Sequence, residues 1–136
     1  MTSAARTLYR YLIALFALGV VAQFFLAGVG AFRVQHNTAH GSVGDKGFEQ
    51  AFDPHVILGS ILLLVGLLAF LTALAARPGR NQVLLVLALP VLVVLQSIFA
   101  HAGPPWFRGL HVVVALVILG LAGRLAAAAW RPARTL

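Results

Sequence analysis

The chain has 136 residues, is 61% hydrophobic and only 10% charged, and carries a net charge of +7 without a single cysteine. A water-soluble domain of this size cannot hide that much apolar surface, whereas a bilayer accepts it. The missing cysteines exclude disulfides, thiolate-bound iron–sulfur clusters and thiol redox chemistry.

The first apolar run, Tyr11–Phe32, is long enough to cross the hydrocarbon core as a helix. It exceeds the h-region of a secretory signal, and its Ala-Gly-Val-Gly-Ala stretch is poorly placed for cleavage, so it is expected to be retained. Residues 33–54 follow as the only long connection. They hold Gly41, Gly44, Gly47 and all three acids, Asp45, Glu49 and Asp53, and are expected to form an outer loop. Pro54 disfavours helix at the residue before it, so Asp53 is expected to cap the second helix, His55–Ala76. Ala76-Arg77-Pro78-Gly79-Arg80-Asn81 is a short turn with two helix breakers, which makes helices two and three antiparallel neighbours. The third helix, Val83–Ala102, contains Pro90, read as a kink because membrane helices tolerate Pro where neighbours satisfy the freed carbonyl. Gly103-Pro104-Pro105-Trp106-Phe107-Arg108 forms a tight second outer loop. Helix four is Gly109–Ala129, with Arg124 near enough to its end to snorkel. Trp106, Trp130 and Tyr9 or Tyr11 suit the membrane interface. The expected fold is therefore one domain, an all-α integral membrane four-helix bundle running up-down-up-down.

The basic charge reads as topology rather than as a nucleic-acid surface. Arg6, Arg10, Arg77, Arg80, Arg124, Arg131 and Arg134 fall at the two ends of the chain and in the second loop; Arg33, Lys46 and Arg108 fall in the first and third. The positive-inside rule places both termini in the cytoplasm of a bacterial cell membrane. All five histidines then lie on the outer side: His36, His40, His55, His101 and His111.

Two segments repeat each other. Gln23-Phe24-Phe25-Leu26-Ala27-Gly28-Val29-Gly30 aligns with Gln96-Ser97-Ile98-Phe99-Ala100-His101-Ala102-Gly103, sharing the frame Gln, three residues, Ala, two residues, Gly. Downstream, His55-Val56-Ile57-Leu58-Gly59 aligns with His111-Val112-Val113-Val114-Ala115. This is an internal two-helix repeat, each copy presenting one His. An ionisable residue inside a span is costly and faces the bundle interior as a rule. One turn further along the same face stand the small residues Gly59 and Ala115. Two imidazoles at equivalent positions are suited to hold a flat cofactor, and neutral imidazole is an ordinary axial haem ligand. Haem b between His55 and His111 is the leading expectation, with Arg108 and Arg33 as propionate partners. An ordinary interfacial arginine is an equally good account of each.

Gln23 and Gln96 are expensive in hydrocarbon without partners. Interhelical hydrogen bonding is the simpler reading of their repetition; contact with a ligand His or the cofactor edge is the sharper one. His36 and His40, four apart, sit beside Gly-Ser-Val-Gly and read as loop residues. With His101 and His111 they form the alternative, an outer-rim Zn²⁺ or Cu²⁺ site. A third alternative is a cofactor-free accessory subunit of a membrane complex. No nucleophile–base pair or intramembrane carboxylate is visible, so independent catalytic activity is not expected.

A Gln near the outer end of an odd-numbered helix, a small-residue stretch, then a His at the outer start of the next helix, done twice, resembles one half of haem A synthase. The chain is also similar in size and pattern to small four-helix bacterial membrane proteins. The first resemblance spans nearly the whole chain but rests on architecture more than on a tight motif. It implies haem facing histidines of the second and fourth helices, here His55 and His111. The family's second-helix His is followed by Arg and preceded at minus three by a functional Glu; here those positions hold Val56 and Phe52. The family's outer-loop cysteine pair has no counterpart, and only one half is present. The resemblance therefore implies haem binding, not oxidation of a haem methyl group. Electron transfer or haem handling follows as the expected role, with the lipid bilayer, a quinone or redox partner protein and a second copy of the chain as partners, and no nucleic acid.

Overall fold

The computed structural model describes residues 3–41, 44–77 and 79–131, and helix is the only regular secondary structure among them. Four helices follow in order: α1 (Ser3–Ala39), α2 (Asp45–Ala76), α3 (Arg80–His101) and α4 (Pro105–Ala129). Each is long and apolar enough to cross a membrane. Helices are the natural outcome, because in hydrocarbon every backbone N–H must be satisfied within its own segment. The chain is a four-helix membrane bundle. Each helix packs on two neighbours, α1 on α2, α2 on α3, α3 on α4 and α4 on α1, while the diagonal pairs are held apart. The end with the α2–α3 turn is here called proximal and the opposite end distal.

The core follows helical periodicity. Tyr9, Ile13, Phe16 and Val20 line one face of α1; Leu62, Gly66, Ala69, Ala73 and Ala76 answer from α2. Val86, Leu89 and Pro90 close it from α3, and Ala115, Ile118, Ala122, Leu125 and Ala129 from α4. Phe16 is fully buried, and its ring needs Gly66 opposite: a Cβ there would lie 3.1 Å from Phe16 Cε2 and 3.5 Å from Pro90 Cδ. Large apolar side chains such as Leu18, Leu64, Leu71, Val91 and Leu116 point outward, as lipid-facing residues do. Nearly all of this buried core lies in the proximal two-thirds. Further out, among the described residues, only Gly30 and Ala51 reach the same burial.

Three expectations need correction. The connection expected over 33–54 is almost wholly helical. Helix α1 runs on to Ala39 and α2 starts at Asp45, because no breaker intervenes before Gly41 and because Gly30 lets the two helices pack beyond the lipid-facing region. Asp53 caps nothing: it is exposed within α2, whose N-cap is Gly44. Pro54 sits in the interior of that helix, where it removes one backbone donor without ending it. Tyr9 is not an interfacial aromatic; it is buried, and its hydroxyl accepts a hydrogen bond from Gln82 Nε2 at 3.2 Å. Of the expected pair, Tyr11 is the exposed one, edge-on to Trp130 with ring centres 5.6 Å apart.

The turns have local causes. Arg77 closes α2 in the left-handed region (φ 48°), its N–H bonded to the Ala73 carbonyl. Pro105 opens α4 at a position where its missing N–H costs nothing. Past the Gln23/Gln96 level, α1 continues to Ala39 but α3 only to His101, so the α1–α2 hairpin stands roughly 16 Å beyond the α3–α4 turn.

Candidate functional site

The two copies of the repeat fold into matching hydrogen-bonded units. His55, in the third turn of α2, donates from Nδ1 to the backbone carbonyl of Gln23 on α1 at 3.1 Å. His111, in the second turn of α4, donates from Nδ1 to the backbone carbonyl of Gln96 on α3 at 3.0 Å. Each bond fixes the tautomer, leaving Nε2 as the nitrogen with a lone pair. Metal-ligating histidines are oriented by this type of outer hydrogen bond.

Although α2 and α4 are diagonal, these two side chains meet across the bundle axis. The ring centres of His55 and His111 are 6.1 Å apart, with the planes inclined by 61°. Both rings are half-buried, as are Gln23 and Gln96. The opposite diagonal, α1 to α3, is bridged at the proximal end by Tyr9 and Gln82.

The glutamine side chains differ. Gln96 Nε2 donates to His111 Nε2 at 3.3 Å. The Gln23 carboxamide lies instead over Gly59, where an added Cβ would meet its Nε2 at 3.0 Å. Its Oε1 is buried and has no hydrogen-bond partner. The clearance expected above Gly59 is thus filled by Gln23.

The repeat also contains a pair of residues that sequence reasoning passed over. The glycine that ends each frame receives a phenylalanine from the following helix. A Cβ at Gly30 would come 2.7 Å from Phe52 Cδ1, and a Cβ at Gly103 would come 2.8 Å from Phe107 Cδ1. Phe52 precedes His55 by three residues and Phe107 precedes His111 by four. That spacing was the available signal. Phe52 is a packing residue over Gly30.

The remaining expected site residues lie apart from the pair. Arg108 is exposed on the first turn of α4, its Nε donating to the Gly103 carbonyl at 3.2 Å. Arg33 is exposed about 15 Å along α1 from Gln23, in a shallow groove with Asn37, Gly47, Gln50 and Ala51. His36 and His40 are neighbours near the hairpin tip, ring centres 4.6 Å apart. His36 is helical, not in a loop. His101 is exposed and donates from Nδ1 to the Ser97 carbonyl at 2.8 Å. Among the described residues, no three His, Asp or Glu gather into a metal-holding group. No protein-family model, curated protein or solved structure matches the chain.

Proposed function

We propose that the protein is a b-type haem-binding membrane protein that uses His55 and His111 as axial ligands. One observation carries this: two imidazoles from diagonal helices converge on the bundle axis, each with Nδ1 tied to the backbone carbonyl of a duplicated glutamine. A metal shared by two imidazole nitrogens at about 2.0 Å each sets the ring centres roughly 6 Å apart, the separation found between these rings. The donor set suits iron in a porphyrin better than a bare ion, since two neutral imidazoles without carboxylates or thiolates complete an axial pair but not a tetrahedral cage. The buried Gln23 Oε1, beside His55's carbonyl partner, is an acceptor with no hydrogen-bond partner among the described residues.

When bound, such a haem supplies one-electron transfer at a six-coordinate iron. The chain's own residues do the rest. Gln23 and Gln96 hold the ring tautomers. Gly59 admits the Gln23 amide. Arg108, one turn distal to His111, holds a guanidinium at the rim, where a propionate would meet water. With the positive-inside rule, the site lies near the outer face, within reach of a quinone or a redox partner protein.

Absorption spectroscopy on detergent-purified protein from haem-replete cells tests the reading. The expected result is a Soret band with sharp α and β bands on reduction. Loss or broadening of those bands is expected in both His55→Ala and His111→Ala, but not in His36→Ala. A colourless preparation, or spectra unchanged in both axial variants, overturns it.

A further inference from the structure

The two halves of the site are not equivalent, and the difference lies on one nitrogen. His55 Nδ1 is held by Gln23, and its Nε2 carries no hydrogen bond to any described residue. His111 is held at both nitrogens by one residue: Nδ1 donates to the Gln96 carbonyl and Nε2 accepts from the Gln96 carboxamide. The Nε2 lone pair cannot serve the amide and a metal at once. Ligation by His111 therefore requires the Gln96 side chain to let go. Ligation by His55 requires nothing comparable, because the Gln23 amide already lies over Gly59.

Resting on the haem reading above, we infer that Gln96 is a displaceable cap that makes His111 the exchangeable ligand and His55 the resident one. A ligand whose binding form is only part of its population binds more weakly by that fraction. One neutral hydrogen bond of ordinary net strength corresponds to a factor of roughly two to ten. The site therefore opens on the α4 side while the haem stays on α2. Such a site is suited to take up haem and pass it on, or to admit a small sixth ligand, more than to permanent storage. Its recognition chemistry is an iron porphyrin presented edge-on from the distal end, where packing is thinnest.

The test uses full-length, haem-loaded protein in detergent. His111→Ala is expected to retain a five-coordinate, high-spin haem, whereas His55→Ala loses it during gel filtration. Gln96→Leu removes the amide but keeps the backbone carbonyl that orients the ring, and Gln96→Ala serves as a second version. Both are expected to slow carbon monoxide binding to the reduced protein, and haem transfer to apomyoglobin, by roughly two- to tenfold. Gly120→Leu, on the exposed side of α4 with nothing packed against it, leaves the carbon monoxide rate unchanged. A colourless wild type overturns the haem reading and this inference together. A coloured wild type in which both His variants lose haem alike, or in which the Gln96 variants match or exceed the wild-type rates, overturns the inference alone.

Discussion

At the residue scale, the molecule uses glycine for close approach more than for backbone freedom. Gly59, Gly30 and Gly66 are all in helices, and each faces a side chain from another helix: the Gln23 amide, the Phe52 ring and the Phe16 ring. A methyl group at any of them meets an atom at 3.1 Å or less. Gly120, by contrast, faces open space on the exposed side of α4. Gly59→Leu is therefore expected to push the Gln23 amide off its place and lower haem retention several-fold. Gly120→Leu is expected to leave retention unchanged. Haem occupancy after gel filtration, read as the ratio of Soret to protein absorbance, separates the two. Equal retention in both would show that the Gln23 position is immaterial to the site.

At the element scale, hydrophobic burial from water is a small driving force, since lipid tails are as apolar as leucine. What holds these helices together is close packing and a few polar contacts. The Phe16–Gly66–Pro90 contact joins three of the four helices. Gly66→Leu is expected to cost about 1–3 kcal/mol, because the added atoms must displace a fully buried ring and a prolyl ring together. Thermal unfolding in detergent, followed by circular dichroism, measures it; an unchanged midpoint would mean that the contact is slack. Gly30→Ala is expected to loosen only the distal hairpin. Its signature is faster amide exchange in the last turns of α1 and the first turns of α2, while the proximal core stays protected.

At the scale of the whole molecule, the diagonal contacts are divided between the two ends: Tyr9 with Gln82 proximally, His55 with His111 distally. Between them lies the apolar core. The arginines gather proximally, at Arg6, Arg10, Arg77, Arg80 and Arg124, and the acids gather distally. Because the chain has no cysteine, single introduced thiols report orientation cleanly. Asn37→Cys, on the protruding hairpin, is expected to react with a membrane-impermeant maleimide in intact cells. Asn81→Cys is expected to react only after permeabilisation. The reverse pattern would invert the topology and place the histidine site at the cytoplasmic face.

Much of this architecture is legible in the amino-acid order. Four spans follow from apolar runs of sufficient length, and their antiparallel order follows from the short turns. The repeat, with its Gln and downstream His, locates the pair of residues that meet. Periodicity does not show where a helix ends once it leaves the apolar region. Polar residues such as Gln35 and Asn37 continue α1 as readily as they would form a loop, and only packing against α2 selects the helix. Nor does an alignment tell a buried tyrosine from an interfacial one: Tyr9 and Tyr11 differ by a rotation of about 200° around the helix, and α3 decides which one points inward.

The sequence by itself determined the class of molecule, the number of spans and the two histidines at equivalent positions, because these depend on composition, hydropathy and local spacing. The tertiary structure decided what those positions do to one another. Diagonal helices have no sequence neighbourhood in common, so the closeness of His55 to His111 appears only when four helices close into a ring. The same closure turned a symmetric repeat into an asymmetric site. Gly59 gave the Gln23 amide a place to lie, while in the second copy, where Ala115 aligns with Gly59, the Gln96 side chain settled on His111.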